Sequence, residues 1–173
     1  MREKGLPKNV VLKELKCKIK KDFSYTSGKI LGSMCTWPHD FAKQVYIRYL
    51  EKNLGDPGLF PSTAKLERET TRMLGSLLSN NEASGNIVSG GTEANILAMW
   101  AARNHVNKEH GEVIVPCSAH YSFDKAANLL NLKLVKVGLN ERFQVDTEIV
   151  EKKVTSKTVA VVGIAGTTSL GVV

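Results

Sequence analysis

Cysteine is scarce in this 173-residue chain: Cys17, Cys35 and Cys117 are odd in number and far apart. With no CxxC and no Cys/His spacing, a disulfide framework and a zinc or redox motif are both excluded, so no metal and reduced thiols are expected. Aromatic residues make up only 6%, and 14 Gly with 5 Pro are too few for a collagen-like or low-complexity chain. No apolar run approaches the ~20 residues that cross a bilayer, and the N-terminus lacks the apolar core of a signal peptide. The chain therefore reads as cytoplasmic, with no membrane partner. What is present is 42% apolar and 24% charged residues, enough to bury a core without staples.

Charge is unevenly spread. The net is +7, yet residues 1–22 hold eight basic groups (Arg2, Lys4, Lys8, Lys13, Lys16, Lys18, Lys20, Lys21) against Glu3, Glu14 and Asp22. That arm carries +5 and the remaining residues only +2. A nucleic-acid partner would have to rest on the arm alone and is not expected.

The arm has its own pattern. Val11, Leu15 and Ile19 recur every four residues within 9–20, so an amphipathic helix is predicted whose apolar stripe wants a partner surface. After a loop-like stretch from Ser24 to Pro38, a second helix is expected from Asp40, as N-cap, to about Asn53. Two Gly and two Pro in residues 54–63 break regular structure. Ser62 or Thr63 then caps a helix that ends near 79–81. Downstream, strands are expected at Asn86–Ser89, Val113–Pro116, Leu132–Val137 and Thr158–Ala165. The last is apolar enough for a parallel sheet covered on both faces. Helical patterns at Thr92–His105, Tyr121–Leu130 and Thr147–Val154 lie between them. Strand–helix alternation of this kind makes an α/β sheet with crossover helices, whose ligands sit at the carboxyl ends of the strands.

Three loops could carry chemistry. In Ser89–Asn95, SGGTEAN, two glycines allow close backbone approach, and Gly91 and Thr92 open a helix whose free N–H groups favour a phosphate. The plain alternative is a turn with Thr92 as N-cap. In Pro116–Ala126, PCSAHYSFDKA, His120 precedes a helix and could stack on a planar ring or titrate; it could equally be an ordinary loop histidine. In Gly163–Gly171, GIAGTTSLG, Thr167 and Thr168 offer hydroxyls, or merely form a turn. An anion cup, an imidazole and a hydroxyl pair on consecutive strand-end loops would suit a planar cofactor that bears a phosphate.

These motifs, preceded by GSMC (Gly32–Cys35) and NLGDPGLF (Asn53–Phe60), resemble the group II pyridoxal-phosphate-dependent amino-acid decarboxylases, most nearly the archaeal L-tyrosine/L-aspartate decarboxylases. The resemblance runs through essentially the whole chain. It implies the large domain of fold type I pyridoxal-phosphate enzymes, a mostly parallel sheet, with residues 1–60 as a helical arm with substrate-side loops and 61–173 as the first part of the cofactor domain. It also implies pyridoxal 5'-phosphate bound by Gly91 and Thr92, His120 against its ring near the reacting carbons, and Thr168 beside it. A homodimer acting on an amino acid is implied too, yielding tyramine for methanofuran synthesis or β-alanine for coenzyme A synthesis.

Two features of that family are not matched: the aspartate of a VDAA-like strand end, which pairs with the ring nitrogen, and the lysine of a His-Lys pair, which forms the Schiff base. The expectation is therefore an N-terminal portion that does not decarboxylate by itself, with apolar sheet surface left uncovered. A non-catalytic phosphate-binding or subunit-interaction module is the other expectation.

Overall fold

A computed structural model of the chain describes residues 4–30 and 35–173. The Gly32–Met34 part of the GSMC motif lies outside them. The chain forms two compact units, residues 1–51 and 52–173.

The first unit holds α1 (Lys8–Lys18), continued by a 3-10 turn at Ile19–Lys21, and α2 (Asp40–Arg48). None of its described residues is buried, and Leu15 and Ile19 are half exposed along the predicted stripe. The cap of α2 differs from expectation. His39 is the N-cap, its Nδ1 accepting the Phe41 N–H at 3.2 Å, while Asp40 is the first helical residue and binds Lys43 at 2.8 Å. A carboxylate in the first turn suits the helix dipole, so Asp40 stabilises from inside the helix rather than from its cap. α2 also closes at Arg48, short of Asn53.

The second unit opens with α3 (Pro61–Ser76). Its N-cap is Phe60, not Ser62 or Thr63, because Pro61 takes the first helical position, where a residue without an N–H and with a fixed φ fits best. The helix ends at Gly75–Ser76, where the Gly75 carbonyl accepts from both Leu78 and Asn80. Next come α4 (Gly91–Val106), β1 (Glu112–Pro116), α5 (Ser122–Leu130), β2 (Lys133–Val137), α6 (Thr147–Lys153) and β3 (Thr158–Val161). Asn107 and Asn131 close α4 and α5 in the left-handed conformation, which Asn tolerates better than most residues.

Both pairings within the three-stranded sheet are parallel and the order is β2-β1-β3. β1 is central, so Val113 to Pro116 are all buried, and its alternating side chains face both sides of the sheet. Val113 and Val115 join Met99 of α4, Ala126, Ala127 and Leu130 of α5, Leu132 and Val159 in one core. Each buried valine or leucine contributes about 1.5–3 kcal/mol.

Two expected strands differ. Residues 86–89 are not a strand: Ile87 is exposed, and its N–H goes to the Glu67 carboxylate at 2.8 Å instead of to a sheet neighbour. A strand needs a ladder partner, and none lies beside this segment among the described residues. β3 stops at Val161, although Val162 still donates to the Ile114 carbonyl at 2.9 Å. Val159 is buried but Val161 is half exposed, so this strand is an uncovered edge rather than one enclosed on both faces.

β1 pairs with β3 in parallel, so the loops that leave these two strands emerge side by side at the carboxyl edge of the sheet. That edge is where open α/β sheets bind ligands.

Candidate functional site

The loop leaving β1 carries His120, and α5 begins two residues later. Ser122 is wholly buried and holds the imidazole twice: its backbone N–H donates to Nδ1 at 3.2 Å, and its Oγ lies 2.9 Å from the same nitrogen. The Asn95 amide of α4 donates to that Oγ at 2.8 Å. The packing of α4 on α5 brings these side chains together. On the other side, the Tyr121 ring lies 4.2 Å from the imidazole, tilted by 42°, with the Lys125 ammonium 5.5 Å above Tyr121.

Asn95 stands one turn into α4, on the face of Gly91 and Thr92. The first intrahelical bond runs from the Ala94 N–H to the Gly90 carbonyl at 3.0 Å, so the N–H groups of Gly91, Thr92 and Glu93 lie ahead of it. A side chain at Gly90 or Gly91 would meet no atom within 4 Å, which leaves the helix mouth open. Glu93 turns back and accepts from the Ser89 hydroxyl at 2.6 Å and its N–H at 2.8 Å. These bonds, the hydroxyl first, hold its carboxyl below the ordinary glutamate value.

The third loop follows β3. Thr167 is buried, and its hydroxyl accepts from the Val172 N–H at 3.2 Å, closing the turn. Thr168 is exposed and makes no hydrogen bond with the other candidates among the described residues. Gly91, Thr92 and His120 are thus linked through Asn95 and Ser122, while Thr168 stands on the loop after the neighbouring strand. Sequence reasoning missed Asn95 and Ser122. Their signal was present: Asn95 ends the SGGTEAN motif and Ser122 lies two residues after the histidine.

Two polar atoms of the β1 loop, Ser118 Oγ and His120 Nε2, are shielded from solvent and have no hydrogen-bond partner among the described residues. Buried polar atoms without partners are few in folded proteins, and a bound group with matching atoms relieves them. An open helix mouth with free N–H groups and an orphaned imidazole nitrogen are what a phosphate-bearing ring with acceptor atoms requires. The residues present fit pyridoxal phosphate.

The fold is that of the fold type I pyridoxal-phosphate enzymes. The chain belongs to the DegT/DnrJ/EryC1/StrS aminotransferase family, whose model matches residues 60–168. It is 53% identical over 171 residues to an L-aspartate decarboxylase of Thermococcus kodakarensis, covering 99% of this chain and 44% of that one. It is 56% identical over 148 residues to a protein of Methanothermobacter thermautotrophicus named probable L-tyrosine/L-aspartate decarboxylase, covering 86% of this chain and 41% of the relative. In structure it is similar to a glutamate decarboxylase of Lactobacillus brevis, with a TM-score of 0.87 at 20% identity, over 99% of this chain and 42% of that one. The resemblance read from the motifs is borne out. The chain spans less than half the length of the curated relatives it matches.

Proposed function

We propose that this chain supplies the phosphate and ring contacts of a pyridoxal-phosphate-dependent amino-acid decarboxylase whose substrate is L-aspartate or L-tyrosine. The observation that carries the reading is the link from the open mouth of α4 to His120 through Asn95 and Ser122, with His120 at the carboxyl end of the central strand. The decarboxylase names of relatives above 50% identity support it.

Gly91 and Thr92 bind the phosphate with backbone N–H groups and the threonine hydroxyl, in a place where the helix dipole favours an anion. His120 lies against the pyridine ring and offers one nitrogen to it or to the substrate. Thr168 contributes a hydroxyl beside the cofactor. When bound, pyridoxal phosphate supplies a ring that accepts the electron pair left as carbon dioxide departs. The whole enzyme is a homodimer in the cytoplasm, and its product, β-alanine or tyramine, feeds coenzyme A or methanofuran synthesis.

The test is a titration followed by the fluorescence of Trp100, which sits on α4. Pyridoxal phosphate is expected to bind the chain at least about tenfold more tightly than pyridoxal, and Thr92→Ala to remove about that difference, the worth of one charge-assisted hydrogen bond. Equal affinity for the two aldehydes sinks the reading. Borohydride treatment is expected to leave no stoichiometric lysine adduct, since no His-Lys motif is present in these 173 residues.

A further inference from the structure

We infer that Asn95 and Ser122 are positioning residues that hold His120 as the tautomer with its proton on Nε2, so that the imidazole offers a donor, not a lone pair, at its one unpartnered nitrogen. The inference rests on the reading above for its catalytic meaning, but its geometry stands without any cofactor.

The direction of the chain of bonds follows from elementary chemistry. The Ser122 N–H, 3.2 Å from Nδ1, is a backbone group and can only donate, so Nδ1 must accept. The Ser122 Oγ, 2.9 Å from the same nitrogen, receives the Asn95 amide at 2.8 Å and keeps its own proton to give. Two donors therefore converge on Nδ1, and a neutral imidazole with both lone-pair contacts at Nδ1 carries its proton on Nε2. Nε2 is the atom left buried and unpartnered. A donor in that position matches an oxygen acceptor, such as a carboxylate or a phenolate, and rejects another donor.

The side-chain half of the network can be reversed while the Ser122 backbone N–H still donates to Nδ1. Asn95→Asp replaces the amide donor with a carboxylate that accepts the Ser122 hydroxyl proton, so Oγ turns a lone pair toward Nδ1. Nitrogen NMR of histidine-labelled full chain, in alkaline buffer with no cofactor added, reads the outcome, with His120→Gln identifying the resonance. The parent is expected to show an unprotonated Nδ1 and a protonated Nε2. N95D is expected to raise the share of the Nδ1–H form about tenfold, the effect of reversing one hydrogen bond. A protonated Nδ1 in the parent overturns the inference, as does an unchanged ratio in a folded N95D. If N95D does not fold, Ser122→Ala decides: losing one of two accepted bonds must move the Nδ1 resonance toward that of an unbonded imidazole, and an unmoved resonance overturns it. A tautomer shift with no preference for pyridoxal phosphate would keep this network and reject the decarboxylase reading; the opposite pair of results would do the reverse.

Discussion

Asn95 and Ser122 meet across 27 residues of sequence, the amide of one helix donating to a hydroxyl buried at the start of the next. Neither reaches solvent freely, so each leaves the other unpaired when removed. Asn95→Ala and Ser122→Ala should each lower the stability of the second unit by about 1–2 kcal/mol. Because they share one bond, the double variant should lose less than the sum by about 0.5–1.5 kcal/mol. Urea unfolding of the four proteins measures the coupling, and strict additivity would show that the bond contributes nothing.

Two glycines of this unit should respond in opposite ways. At Gly75 an added Cβ would run into Ala83 and lie 2.6 Å from the Asn80 carbonyl, so Gly75→Ala forces the end of α3 to shift. A loss of about 1–3 kcal/mol is expected by thermal or urea denaturation. At Gly91 the space is open. Gly91→Val should leave stability within about 1 kcal/mol while weakening pyridoxal-phosphate binding, because the added side chain occupies the helix mouth.

Acid should loosen the start of α4. The Glu93 carboxyl is held below its ordinary value by the Ser89 hydroxyl and N–H, so its folded pKa is lower than its unfolded one. A depressed carboxylate stabilises fully above the unfolded pKa, about 4.3, and that contribution is lost as pH falls through the folded value. Urea midpoints of the parent should therefore decline below about pH 4.3 more steeply than those of Glu93→Gln. Parallel curves would show that Glu93 does not couple to folding.

The end of α4 offers a backbone test. Asn107 closes the helix at φ 51°, in the left-handed region. Asn107→Gly should hold or slightly raise the melting temperature, whereas Asn107→Ala should cost about 1 kcal/mol, since alanine pays for the left-handed conformation and glycine does not. Equal effects of the two would indicate that the cap relaxes when replaced.

Legibility in the sequence followed the range of each interaction. α4, α5, β1 and β2 were readable within a residue or two, because a run such as Val113–Val115 or the face containing Met99 is a local pattern with a fixed period. Caps were less readable. Asp40, Ser62 and Thr63 all have capping chemistry, yet His39 and Phe60 took those places once Asp40 and Pro61 entered the helices. The apolar segment 86–89 failed as a strand for a different reason: β propensity is realised only where a ladder partner exists, and its amide found Glu67 instead.

Local chemistry alone dictates where Gly91 and Thr92 open a helix and that His120 stands in a loop after an apolar strand. The link from that histidine's partner Ser122 to α4 was decided only by packing. Met99, Ala126 and Ala127 seat α4 and α5 in one core, and that seating brings Asn95 to Ser122. No pattern of propensities encodes the contact, since a hydrogen bond between side chains 27 residues apart exists only after both helices have docked on the sheet.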